Sequence, residues 1–179
     1  MEYKYNYIYS NRGRSLEEDL NISNQYYLDN DIAVIYKKPT PITINKVNYS
    51  SRKNTVIKEA YFKIPSTTDY NGIYKGKYID FEAKETKNKT SFPLSNIHKH
   101  QIEHLRKIST MGGLGFIIVR FTSLDETYYL NSTHLFEFID WQSRKSIPLT
   151  YFREKGYLIK PKLRPLVDYL EMVERDLRW

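Results

Sequence analysis

The stretch Ser66 to Thr86, STTDYNGIYKGKYIDFEAKET, decides how the chain reads. It places one acid, Asp69, in a polar turn. Two glycine-centred bends follow, Asn71-Gly72 and Lys75-Gly76-Lys77, and both read as turn signals. From Tyr78 to Glu85 the residues alternate. Ile79, Phe81 and Ala83 fall on one face of a strand; Tyr78, Asp80, Glu82 and Lys84 fall on the other. Glu82 and Lys84 therefore share a face, and Asp69 can converge with Glu82 at one strand end. Mg2+ takes hard oxygen ligands, and one or two carboxylates suffice when a substrate phosphate supplies the rest. A lysine beside it can position water and offset charge on the phosphate. The Ala83 carbonyl, between the two side chains, is a further oxygen within reach. Asp80 is a rival ligand on the same face, ranked below Glu82 because Lys84 is spaced from Glu82. The competing interpretation is an edge strand with one charged face making cross-strand pairs. Triples of this kind are common, so the triple alone does not decide between them.

Outward from this stretch, the preceding segment differs in kind. Residues 37–65 hold Pro39 and Pro41 and the cations Lys37, Lys38, Lys46, Arg52, Lys53, Lys58 and Lys63. Two alternating runs, Ile42-Thr43-Ile44 and Val56 to Phe62, flank the polar tip Asn48 to Asn54. The segment reads equally as a basic arm suited to a DNA groove or as a surface hairpin with lysines guarding its edge. Upstream, Ser15 to Glu18 is a capping box that opens a helix to about Asp29. Glu18 serves the cap; Glu17 is left as a helix-face acid. Ile32 to Tyr36 reads as a buried strand, and residues 1–11 as a loose polar arm. Downstream, a helix is expected over Ile97 to Thr110, stopped by Gly112-Gly113. Strands at Leu114–Phe121 and Glu126–Asn131 follow, with Ser123-Leu124-Asp125 as their turn. A helix to Trp141 comes next, and Pro165 can open a last helix to Leu177. The order implies a mixed sheet flanked by helices, an α/β fold in one domain over 1–179. His98, His100 and His104 do not form HExxH and read as a solvated basic helix face rather than a zinc site.

The bulk numbers fit this picture. The net charge is +7, which favours a polyanionic partner such as nucleic acid. Seventeen tyrosines add stacking faces and phosphate-directed hydroxyls. The chain has no cysteine, which removes disulfides, thiolate metal sites and cysteine nucleophiles. No secretory signal or membrane-spanning run is read from the sequence, which fits a cytoplasmic protein.

Five collinear segments then become specific: SNRGRSLEEDLN (10–21), KKPTPI (37–42), VIKEAYF (56–62), STTDYNGIYKGKYIDFEAKETKNKTSFPL (66–94) and HQIEHL (100–105). They resemble the RecU family of Holliday-junction resolvases, which belongs to the PD-(D/E)xK nuclease superfamily. The resemblance implies a restriction-endonuclease-like sheet with a projecting basic β stalk over 37–65. It implies a Mg2+ site, with Mn2+ as a substitute, matched here by Thr67, Asp69, Glu82 and Gln101. Lys84 matches the transition-state lysine. Glu17 matches an additional acid on the first helix. Arg12 matches a phosphate contact, and Lys37, Lys38, Arg52 and Lys53 are candidate DNA contacts. The implied partners are branched DNA, a second copy of the chain and a RecA-type recombinase. The implied activity is resolution of four-way junctions by paired symmetric nicks in recombination and repair. The rivals are another PD-(D/E)xK nuclease and a non-catalytic junction-binding modulator. Where the superfamily has Pro before the first acid, this chain has Thr68.

Overall fold

The structure is a computed structural model and describes residues 13–49, 55–62 and 67–177. Helix α1 spans Leu16–Asp29, followed by strands β1 (Val34–Lys37), β2 (Ile42–Tyr49), β3 (Thr55–Phe62), β4 (Tyr70–Tyr74), β5 (Lys77–Thr86) and β6 (Ser91–Pro93). After a 3-10 turn at Leu94–Asn96 come helix α2 (Lys99–Thr110), β7 (Leu114–Phe121), β8 (Glu126–Asn131), α3 (Ser132–Trp141), β9 (Ser146–Pro148), α4 (Leu149–Lys155), β10 (Tyr157–Ile159) and α5 (Leu170–Leu177). The principal sheet runs β1-β4-β5-β7-β8-β10. Its only parallel pair is β5–β7, joined by a crossover that carries α2; the other pairs are antiparallel. The expected mixed α/β sheet is therefore present.

Helices cover both faces. On one face Leu16, Leu20 and Tyr27 of α1 join Ile35, Phe81, Phe116, Ile118 and Tyr169 in one buried cluster. On the other, Leu105 of α2 and Leu135 of α3 join Ile117, Val119, Leu130 and Phe152. Across the first face the rings of Tyr70, Phe81, Phe116 and Tyr129 follow one another over four strands. Their centroids lie 4.8, 4.7 and 4.6 Å apart in sequence. Each such contact adds about 0.5–1.5 kcal/mol beyond burial.

Several sequence expectations need correction. The edge strand of the competing interpretation is not seen: β5 lies inside the sheet with β4 and β7 on either side. Strands buried on both faces are normally apolar throughout, and β5 instead buries Asp80 and Glu82 completely. Asn71-Gly72 is not a turn but lies within β4. A Cβ at Gly72 would stand 2.1 Å from the Val34 carbonyl oxygen, so glycine there admits the close approach of β1. The β4–β5 turn is Lys75-Gly76, whose φ angles of 47° and 74° are those of a tight hairpin. The strand expected over Ile32 to Tyr36 runs over Val34–Lys37. Helix α2 begins at Lys99 rather than Ile97, because Ile97 is drawn into the core. The last helix begins at Leu170 rather than after Pro165. Residues 167–169 are held in non-helical conformations by partners on α1: the Val167 N–H donates to Ser23 Oγ, Asp168 accepts from Tyr27 and Tyr169 donates to Asn24. The short elements β9, α4 and β10 lack a long periodic pattern and were not expected.

Strands β2 and β3 form a separate two-stranded sheet with a register irregularity at Ile44–Val47. Ile42, Ile44, Val56, Ile57, Tyr61 and Phe62 are all exposed. The expected hairpin is thus present; Asn48 and Tyr49 of its expected tip belong to β2, while residues 50–54 and the expected arm over residues 1–11 lie outside the described residues. Among the described residues, no helix is long and apolar enough to cross a membrane.

Candidate active site

The tight β4–β5 turn fixes the site by register. Tyr70 pairs with Phe81. One step further along the same antiparallel ladder, Asp69 comes opposite Glu82. The Ala83 N–H donates to Asp69 Oδ2 at 3.4 Å, and the Lys38 N–H donates to the Asp69 carbonyl at 2.7 Å. Thr67 is half-buried in the segment that leads into β4, its Oγ1 donating to the Thr68 carbonyl at 3.4 Å.

Glu82 is fully buried and half-satisfied. Its Oε1 accepts from Lys84 Nζ at 2.6 Å and from Gln101 Nε2 at 2.7 Å. Its Oε2 is buried and accepts no hydrogen bond among the described residues. Burial, then the charge of Asp69, pushes the Glu82 carboxyl up to about 7, against the opposing pull of Lys84. Gln101 stands in the first turn of α2. Its Oε1 accepts from the His98 N–H at 2.9 Å as part of a capping box, so one amide serves both the helix start and the acid.

Asp80, the rival ligand, is engaged elsewhere. It accepts from Lys38 Nζ at 2.8 Å, from Tyr78 OH at 2.9 Å and from Thr68 Oγ1, and it lies 3.2 Å from His104 Nε2. Alternation put Asp80 on the face of Tyr78 and Glu82 but gave no hint of its other three partners. Sequence reasoning likewise missed Lys38, Thr68 and His104 as members of one buried network. The structure brings together Asp69, Glu82, Lys84 and Gln101; Thr67 stands two residues before Asp69 with its hydroxyl on the Thr68 carbonyl. Glu17 pairs instead with Lys37. Lys38, expected on DNA, turns its ammonium inward to Asp80 and Thr68. Arg12, Arg52 and Lys53 lie outside the described residues. Among the described residues no three His, Cys, Asp or Glu side chains gather as a metal nest. The carboxylate site is a pair.

A mixed sheet that presents two acids and a lysine beside one interior strand defines the class: an α/β protein of nuclease type. The model for Recombination protein U (RecU) matches residues 11–175, and the chain belongs to that family. It is 55% identical over 170 residues to a Holliday junction resolvase RecU from Geobacillus sp. (strain WCH70), covering 93% of this chain and 85% of that one. It is 54% identical over 171 residues to one from Bacillus mycoides (strain KBAB4), covering 94% and 86%. Among solved structures, Archaeoglobus fulgidus Hjc, a Holliday junction resolvase, aligns with a TM-score of 0.48 and 12% identity over 80% of this chain and 93% of that one.

Proposed function

We propose that this protein is a divalent-metal-dependent endonuclease that resolves four-way DNA junctions. Family membership carries the substrate class. The observation that carries the chemistry is the orphaned Glu82 Oε2, buried beside Asp69 with the Lys84 ammonium 2.6 Å from the other oxygen. A buried carboxylate oxygen without a donor is costly unless a cation completes it. The donor set fits a hard ion: two carboxylates, with the Ala83 carbonyl next to Glu82 in sequence and the Thr67 hydroxyl two residues before Asp69 as proposed further oxygens. Mg2+ is the ion proposed, with Mn2+ as a substitute. The Gln101 oxygen already accepts the His98 N–H and keeps a second lone pair with which it could serve the ion. When bound, the ion supplies Lewis-acid polarisation of the phosphate and lowers the pKa of water.

The chain's own groups do the rest. Asp69 and Glu82 are held opposite each other by hairpin register, so they need no rearrangement to act together. Lys84 shares their face and places a fixed positive charge where negative charge grows on the phosphate. The Gln101 amide holds Glu82 in one rotamer. Cutting two opposed strands symmetrically requires two such sites related by a two-fold axis, so the working form is a homodimer. The hairpin β2–β3 supplies the surface that engages the branched DNA. Cytoplasmic residence and contact with a RecA-type recombinase accompany this reading, as does folding of the whole chain as one domain.

The test uses a labelled mobile junction and a matched linear duplex. Wild type should nick the junction in opposed strands with Mg2+ and not with EDTA. Asp69→Asn should bind the junction and leave it uncut. No cutting by wild type overturns the reading, and preferential cutting of the linear duplex reassigns the substrate.

A further inference from the structure

Lys38 stands where three parts of the molecule meet. It begins the segment that leads out of β1, and Pro39 and Pro41 separate it from the hairpin strand β2. Proline fixes φ and removes a donor, so this four-residue link, Lys38-Pro39-Thr40-Pro41, is stiff. The Lys38 backbone N–H donates to the carbonyl of Asp69 at 2.7 Å. Its ammonium donates to Thr68 Oγ1 at 3.0 Å and to Asp80 Oδ2 at 2.8 Å. Thr68 precedes the first acid and Asp80 lies two residues before the second. A single residue at the hairpin base thus grips both halves of the acid pair, once through backbone and twice through side chain.

The grip is built to hold. Asp80 is completely buried, and Lys38 is mostly so. Tyr78 OH and His104 Nε2 complete the carboxylate's surroundings, so the ion pair sits inside a satisfied polar network rather than in water. None of these atoms belongs to the proposed ligand set. Groups that orient ligands without touching the ion commonly change metal affinity ten- to a hundredfold when removed.

We propose that Lys38 is a positioning residue that fixes the Asp69 turn against the Glu82 strand and ties both to the base of the hairpin. The proposal rests on the reading of Asp69 and Glu82 as the metal pair. It replaces the expectation that Lys38 meets DNA phosphate. The distance between the acids is then set at the root of the element that meets the junction.

The test measures Mn2+ binding to the full chain by calorimetry without DNA, alongside steady-state cleavage of a mobile junction with Mg2+. Wild type should bind Mn2+ saturably and Asp69→Asn should not. Lys38→Met should weaken Mn2+ binding on the order of tenfold or more. It should lower kcat at saturating junction and leave KM within about twofold of wild type, since a positioning loss falls on the chemical step. Lys38→Met also leaves Asp80 buried without its cation, so a paired variant, Lys38→Met with Asp80→Asn, removes both charges. That variant should melt near the wild-type temperature and still bind Mn2+ weakly. It carries the test alone if Lys38→Met does not fold. Recovery of both melting temperature and Mn2+ affinity in the paired variant would overturn the proposal, because neutralising Asp80 would then be the whole role. Unchanged Mn2+ affinity in folded Lys38→Met, with a raised KM and a shallower salt dependence, would make Lys38 a phosphate contact and also overturn it. Failure of the site reading is distinguishable: wild type itself would then bind no Mn2+, or Asp69→Asn would bind it unchanged.

Discussion

Strand β5 and the hairpin β2–β3 are both alternating β segments, yet they treat water in opposite ways. Strand β5 hides Asp80 and Glu82 from it, while the hairpin leaves Ile42, Ile44, Val56, Tyr61 and Phe62 in it. Each arrangement runs against ordinary burial. In β5 the cost of desolvating two carboxylates is offset unevenly: Asp80 has four polar neighbours, and Glu82 has one oxygen satisfied and one bare. In the hairpin, apolar side chains stay exposed on a ribbon whose two strands pair with each other. The first region keeps an unmet electrostatic demand where chemistry is proposed. The second keeps unmet apolar surface where contact is proposed.

The sharpest way to break this contrast is to neutralise the unmet charge. Glu82→Gln should lower junction cleavage on the order of 10^3-fold, and Lys84→Ala by roughly 10^2- to 10^3-fold, each with junction affinity nearly unchanged. Single-turnover cleavage and gel-shift affinity on the same junction separate the two effects. Near-normal cutting by Glu82→Gln would remove the bare oxygen from the mechanism.

Next in size is one residue type placed in the sheet core beside β5 and in the hairpin. Phe116→Ala removes the middle of the ring series that spans four strands and should cost about 3–5 kcal/mol of unfolding free energy in urea. Phe62→Ala, on the exposed hairpin, should stay within about 0.5 kcal/mol. Equal losses would mean that the hairpin is part of the folded core.

The Glu82 carboxyl gives a smaller effect with a definite direction. Its folded pKa lies near 7, above the ordinary 4.5. The folded protein therefore holds this proton more tightly than the unfolded chain. The corresponding stability is fully present below about pH 4.5 and is lost as the pH rises through about 7, a change of about 3 kcal/mol. In the metal-free protein, the melting temperature of wild type relative to Glu82→Gln should fall across that window. A saturating divalent ion should flatten the difference by holding the carboxylate ionised. A difference that rises with pH would contradict the burial of Glu82.

Much of this contrast was legible in the sequence, for identifiable reasons. Local signals carried the capping box at Ser15–Glu18, the stop at Gly112 and the alternation that put Glu82 and Lys84 on one face. The pairing of Asp69 with Glu82 followed once a tight turn lay between them. That turn was misplaced in part, since Asn71-Gly72 serves the approach of β1, a contact with residues almost forty positions earlier. The interior position of β5 was hidden because its acids imitate an edge strand. The partners of Asp80 come from β1's exit, the pre-β4 turn and α2, and no spacing rule joins those places. Thr67 and Gln101 entered only through family resemblance; Gln101 alone looks like any polar helix residue.

The smallest expected effect probes the hairpin itself. Among the described residues its strands pair with each other and with no strand of the principal sheet. Deleting residues 48–54 should therefore leave the melting temperature of the chain nearly unchanged. The same deletion removes Arg52 and Lys53, the two cations proposed to meet phosphate, together with the residues that join β2 to β3. Losing two phosphate contacts alone would weaken junction and duplex alike and reduce the salt slope by roughly two. A ribbon that fits an open branch point adds a contribution that duplex DNA cannot receive. Junction affinity should then fall roughly tenfold more than duplex affinity, about 1.4 kcal/mol of lost preference. Competition binding at two salt concentrations separates the two contributions. Equal losses on both substrates would reduce the hairpin to a basic handle, and the recognition of branched DNA would have to lie on the principal sheet and its helices.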